Sequence, residues 1–286
     1  MKIVIFGLSR SGTTALFYLL KNSLHRNTVC LFEPLRFDEK DIRRNKFKEL
    51  LFGRRDENVL AKVLSFRPDY PADTDSFASF DKQVLIVRDP RDRLISRLLY
   101  GVHASNFCDQ PDRAQSFISV LKRKEADPAS ISIMTLLETF ATLNGEQFSF
   151  DAWASHYSRH SINRPLAFHD TNPQLFLFRY EDLIDGRLQE LGDYIGASLG
   201  GTATVPQQLA RVERTKDYGA WRDWFTKEDV AKLQPVLQPF LDRYYSGADW
   251  ILKDRPAIRP EHGSSYVEGL INQRRALIKL PALRHD

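Results

Sequence analysis

Ile3-Val4-Ile5-Phe6-Gly7-Leu8-Ser9-Arg10-Ser11-Gly12-Thr13-Thr14 stands near the start of the chain. The apolar run Ile3–Phe6 predicts a buried strand, and the Gly/Ser stretch after it predicts a loop. Ala15, Leu16, Leu19 and Leu20 then recur at helical spacing, so a helix is expected from Thr13 to Leu24. Strand, Gly-rich loop and helix in that order open an α/β nucleotide-binding domain. The spacing of Gly7 and Gly12 is that of a Walker A loop, whose amides and following helix N-terminus cradle an oxyanion. A Walker A loop needs Lys and then Ser or Thr after its second Gly. Here Thr13 occupies the Lys position, and the cation, Arg10, sits inside the loop. The segment suits an anion, but not one transferred as a magnesium-bound γ-phosphate. Standing alone, it also reads as an incidental Gly/Ser turn.

Working outward, Thr28–Phe32, Val59–Leu64, Gln83–Val87 and Gln174–Arg179 are further β-rich runs. Pro90 fits a first helical turn, so a helix is expected from Pro90 to Tyr100. Asp112–Ile162 reads as helical and amphipathic, and Thr226–Tyr244 as a helix that Pro235 and Pro239 should kink or split. The fold expected is α/β, P-loop-like and three-layered, with a central, mostly parallel sheet flanked by helices. One domain over 1–253 is expected, with 254–286 as a tail or docking segment. The 286 residues suffice for one large domain with a real core.

The formal charge of +4 suits an anionic ligand but is too mild to argue for nucleic acid, and no nucleic-acid motif is present. Cys30 and Cys108 are too few for a disulfide framework or a metal site. No apolar run has the length of a signal h-region or a membrane span, so a cytoplasmic protein without a transmembrane segment is expected. The sequence leaves the oligomeric state open.

A second anchor is Val87-Arg88-Asp89-Pro90-Arg91-Asp92-Arg93-Leu94-Ile95-Ser96-Arg97. Arg88 at a strand end and Ser96 on the next helix can offer a fork of donors and a hydroxyl to one dianionic phosphate. The plainer reading is a charged helix start, with Asp89 and Asp92 near the positive end of the helix.

Together these segments resemble the sulfotransferases that use 3′-phosphoadenosine-5′-phosphosulfate (PAPS). Ser9 to Thr14 looks like the family's phosphosulfate loop, and Arg88 with Ser96, eight positions apart, like its 3′-phosphate motif. Leu31-Phe32-Glu33-Pro34-Leu35 and the Arg88-Asp89-Pro90-Arg91 string resemble glycan 6-O-sulfotransferases. Arg179-Tyr180-Glu181-Asp182-Leu183 looks like a strand-end motif of the family. Arg214, with Gly219-Ala220-Trp221-Arg222, resembles the late loop over the nucleotide, although the family's Arg-Lys-Gly reads Arg214-Thr215-Lys216 here. The resemblance implies sulfuryl transfer from PAPS to an acceptor hydroxyl, leaving 3′,5′-adenosine bisphosphate (PAP), with no metal. It implies donor contacts from Ser9, Arg10, Ser11, Gly12, Thr13, Thr14, Arg88, Ser96, Tyr180 and Arg214. Arg10 would stabilise the leaving charge.

A hydroxyl that attacks sulfur must lose a proton in or near the transition state, so a positioned base helps. Many soluble members of the family use a His on the strand equivalent to Val59–Leu64, which here has Lys62 instead. Other branches use a Glu after the second strand, which makes Glu33 the candidate base. Glu33 also reads as a structural partner for a neighbouring Arg such as Arg36. Lone histidines, His103 among them, read as structural or surface residues. The expected acceptor is a glycan; protein tyrosine, lipids and small phenols stay open, as do a non-catalytic nucleotide-binding protein and a P-loop kinase. The basic stretch Arg43, Arg44, Lys46, Lys48, Arg54 and Arg55 can meet an acidic glycan, but Asp38, Glu39, Asp41 and Glu49 interleave it as on a solvated helix face.

Overall fold

The computed structural model describes residues 1–25, 27–38, 58–66, 71–200, 206–212 and 214–283. The basic stretch 43–55 lies outside them. Two compact units emerge: Met1–Arg88 with His160–Gln207, and Asp89–Arg159 with Gln208–Asp286.

The first unit holds a five-stranded sheet of β1 (Lys2–Gly7), β2 (Val29–Phe32), β3 (Val59–Leu64), β4 (Lys82–Val87) and β5 (Phe176–Arg179) in the order β2-β3-β1-β4-β5. Every pairing is parallel. Parallel strands are covered on both faces, and β1 accordingly has an almost continuous apolar run. Ile3, Val4 and Ile5 are fully buried. Each such side chain removed from water contributes roughly 1.5–3 kcal/mol. The helix Thr13–Ser23 packs Leu16, Phe17, Leu19 and Leu20 into this core with Val84, Ile86, Phe178 and Leu191. After β1 the chain builds β2 and β3 on one side, then β4 and β5 on the other. That reversal beside β1 is where open α/β sheets bind ligands, at the carboxyl ends of their strands.

The second unit is helical. Pro90–Gly101 comes after β4 in the chain, and the expected helical middle consists of Pro111–Ala126, Ile133–Leu143 and Phe150–Tyr157. Lys227–Tyr244 is one continuous helix, contrary to the break expected at its prolines. Pro235 and Pro239 are exposed, so the carbonyls they leave unpaired, on Ala231 and Pro235, lie towards water. Leu233, Leu237, Phe240 and Leu241 are buried and hold the helix together. A capping box of Thr226 and Asp229 fixes its start. Within 254–286, the helix Ser264–Leu277 buries Val267, Leu270 and Ile271 in this unit. Its start donates from Ser264 Oγ to Glu125 at 2.7 Å, and Arg275 donates to the Cys108 carbonyl at 3.0 Å. Among the described residues no helix is long and apolar enough to cross a membrane.

Candidate active site

The loop after β1 is tight. Arg10 and Gly12 both take left-handed backbone, at φ 70° and 87°, and the Ser11 amide donates to the Leu8 carbonyl at 3.3 Å. Gly12 is required twice over: its φ suits glycine, and an added Cβ would overlap Tyr180 Cδ2. The helix Thr13–Ser23 then begins with no side-chain cap and no acidic residue in its first turn. Its opening N–H groups and the positive end of its dipole are therefore left for an anion. Ser11 and Thr13 are buried, while Ser9, Arg10 and Thr14 are half-buried.

Arg88 comes directly after β4 and is 5% exposed. Its guanidinium stacks on the Tyr180 ring at 4.2 Å from the centroid, and Nη1 donates to the Arg10 carbonyl at 3.3 Å. Its Nε is buried with no hydrogen-bond partner among the described residues. An orphaned donor on a buried cation is costly unless an acceptor arrives, and this one sits beside the uncapped loop. Tyr180 thus abuts Gly12 and carries Arg88; its ring builds the loop's wall.

Glu33 comes directly after β2 with left-handed backbone at φ 56°, held by a bond from its amide to the Lys62 carbonyl at 2.8 Å. Its carboxylate pairs with Lys62 Nζ at 2.6 Å; the cation is Lys62, not Arg36. Nζ also donates to Thr14 Oγ1 at 2.9 Å and lies 3.9 Å from the centroid of the Phe32 ring. Burial pushes the Lys62 ammonium below its usual range, and the bond and charge of Glu33 pull it back up. In the sequence Lys62 stands out only as occupying a strand where a His was expected, and Ser65 carries no role. Ser65 is buried just after β3 with a hydroxyl that has no partner among the described residues. A lone polar residue in an apolar strand, Lys62 in Val59–Leu64, was the signal available for the first; the second had none.

Ser96 and Arg214 belong to the second unit. Ser96 is buried on the helix Pro90–Gly101. Arg214 is buried and donates to the His262 carbonyl at 3.0 Å. Asp89, Arg91 and Asp92 are structural. Asp89 caps the helix by accepting from the Arg91 amide at 2.9 Å and pairs with the Arg91 guanidinium at 2.6 Å. Arg91 lies over Trp221 at 3.9 Å and donates to the Asp249 carbonyl. Asp92, fully buried, accepts from the amides of Gly219 and Trp221. The start of this helix therefore pins Gly219–Trp221 within the second unit.

A cavity of about 990 Å³ lies elsewhere in the first unit, lined by Phe176, Phe178, Arg187, Asp193 and Leu199 among others, and by none of Ser9–Thr14 or Arg88. No group of three or more His, Cys, Asp or Glu among the described residues is placed to hold a metal ion.

No curated protein matches the sequence significantly. Among solved structures, the crystal structure of mouse sulfotransferase SULT7A1 complexed with PAP is similar, with a TM-score of 0.48 and 14% identity over 86% of this chain and 85% of that one. The profile of the sulfotransferase domain matches residues 1–214, which takes in the loop after β1, Arg88, Ser96, Tyr180 and Arg214. By that match over most of its length, the chain belongs to the sulfotransferase family.

Proposed function

We propose that this sulfotransferase takes its sulfuryl group from PAPS and passes it to a hydroxyl of a carbohydrate. The observation that carries the donor assignment is the open anion cradle after β1. There an uncapped helix start, without acids of its own, adjoins buried Arg88 and its unpartnered Nε. These residues fit a phosphorylated and sulfated nucleotide. When bound, the donor supplies the activated sulfuryl group. Ser9, Ser11, Gly12, Thr13 and Thr14 hold its phosphosulfate through amides and hydroxyls, and Arg10 neutralises charge on the leaving side. Preorganised donors of this kind are usually the largest catalytic contribution. Arg88 takes the 3′-phosphate, with Tyr180 as its platform; Ser96 and Arg214 join the donor set on their motifs alone. Glu33 accepts the acceptor's proton. The residues supply the cations themselves, so no metal is assigned. The carbohydrate acceptor rests on the Leu31–Leu35 and Arg88–Arg91 strings.

Calorimetry in the presence of EDTA tests the donor. PAP should bind at least tenfold tighter than AMP or ATP; equal affinity for AMP and PAP would remove the 3′-phosphate assignment. Labelled PAPS with a panel of glycans, tyrosyl peptides, lipids and phenols, read by mass spectrometry, tests the acceptor. Sulfation confined to a non-glycan class would overturn the carbohydrate reading, and no turnover with any acceptor would favour a nucleotide-binding role.

A further inference from the structure

One deeply buried cation of the first unit reaches the donor loop only through Thr14. Lys62 lies in the middle of the sheet, its side chain 2% exposed, on the strand between β1 and β2. A buried ammonium persists only when its three N–H groups and its charge are answered. Here Glu33 answers the charge, Thr14 accepts one bond, and the face of Phe32 receives the remainder. Those partners come from two places with different chemical tasks. Thr14 belongs to the first turn of the uncapped helix, and Glu33 to the end of the second strand. Glu33 is held in left-handed backbone, which a non-glycine residue keeps only when its surroundings dictate it.

We propose that Lys62 is a positioning residue that holds the Glu33 carboxylate aimed, and joins it through Thr14 to the anion loop, so that base and loop are set as one unit. This rests on the reading of Glu33 as the base. Lys62 touches neither substrate nor reacting atom; it acts through its two partners. The charged group acting on Lys62 is Glu33, and the cation paired with Glu33 is Lys62. Without that cation Glu33 keeps its left-handed backbone, but its carboxylate loses the contact that fixes its direction.

The test uses the full chain with the substitutions Lys62→Met, Lys62→Arg and Glu33→Gln. Values of kcat and KM are measured separately with PAPS and an acceptor, and PAP affinity and Tm come from the same preparations. In Lys62→Met, kcat per folded molecule should fall more than tenfold while KM changes by less than about threefold, because the base is present but misaimed. Lys62→Arg should restore most of kcat, because it restores the cation. A role in stability alone predicts a lower Tm with kcat unchanged in the folded fraction; that result overturns the proposal. So does a loss confined to KM. Failure of the underlying reading looks different: Glu33→Gln would then turn over at nearly the wild-type rate.

Discussion

Two strand-to-helix junctions carry the segments that resemble the family's motifs, and they are finished in opposite ways. After β1, the helix Thr13–Ser23 starts on Gly12 with no cap and no acid in its first turn. After β4, the helix Pro90–Gly101 starts on Asp89, whose side chain caps it, with Pro90 in the first turn and Asp92 behind it. The first junction leaves its positive end open to an outside anion. The second caps its own Arg91 amide with Asp89 and spends its remaining acid on the backbone of Gly219 and Trp221. Both are strand, turn and helix in sequence, yet only the first leaves a helix start open to a ligand. The second junction offers Arg88, placed just ahead of the capped helix, while the opening turn of that helix is a strut.

The comparison breaks most visibly at Arg10. If the open loop stabilises leaving charge, Arg10→Ala should lower kcat by about 10²–10³-fold, the usual scale for a lost donor of this kind. PAP, which lacks the sulfuryl group, should bind almost as before. Near-normal turnover would remove Arg10 from the chemistry. Next comes Gly12→Ala, which puts a Cβ into Tyr180 at φ 87°. Positive φ alone costs about 1–3 kcal/mol, so calorimetry should show PAP affinity down tenfold or more. Gly145→Ala is the control: it shares a positive φ of 82°, but its Cβ meets nothing within 4 Å, so only stability should change.

At the sealed junction the expected losses are of stability. Asp92→Ala removes a charged acceptor from two amides, and bonds to charged groups contribute about 1.5–3 kcal/mol each. Urea denaturation should therefore show a stability loss of about 2–4 kcal/mol. An Asp92→Ala variant as stable as the wild type would show that the late loop is held by other means. The smallest effect sharpens the contrast from the other side. Ala15→Asp gives the open helix the first-turn acid it lacks, which should add about 0.3–1 kcal/mol of stability. It should also weaken PAP binding several-fold, because the dipole is then already answered. Unchanged PAP affinity would mean that the helix end takes no part in holding the anion.

Much of this was legible because it is local. The strand, loop and helix from Lys2 to Ser23, and the junction at Arg88 and Pro90, are written in consecutive residues whose hydrophobic period and turn chemistry agree. β3 was read to its limits at Val59 and Leu64, whereas β5 begins at Phe176, two residues inside the expected run. What was not legible depends on partners far apart in the chain. Lys62 meets Glu33 and Thr14 across the sheet, and a single Lys in an apolar strand does not announce which carboxylate it will find. Asp92 finds its amides at Gly219 and Trp221, so the motif containing it could be matched but not divided into ligand and strut. The prolines at 235 and 239 misled because their cost depends on which face of the helix they occupy. On the exposed face, water can take the freed carbonyls.

The ring over Gly12 comes from Tyr180, and the first unit is interrupted in sequence between Arg88 and His160. During synthesis the anion loop is therefore made early but finished late. The ribosome must deliver the whole 89–159 segment before β5 can pair with β4 and bring Tyr180 against Gly12 and Arg88. Until then the loop lacks its wall, and Arg88 lacks the ring that carries it. Closure of so long a loop is slow compared with local helix formation. Completion of the loop is thus timed to that of the sheet, and a chain arrested before residue 180 has every residue of the loop but not its walled form.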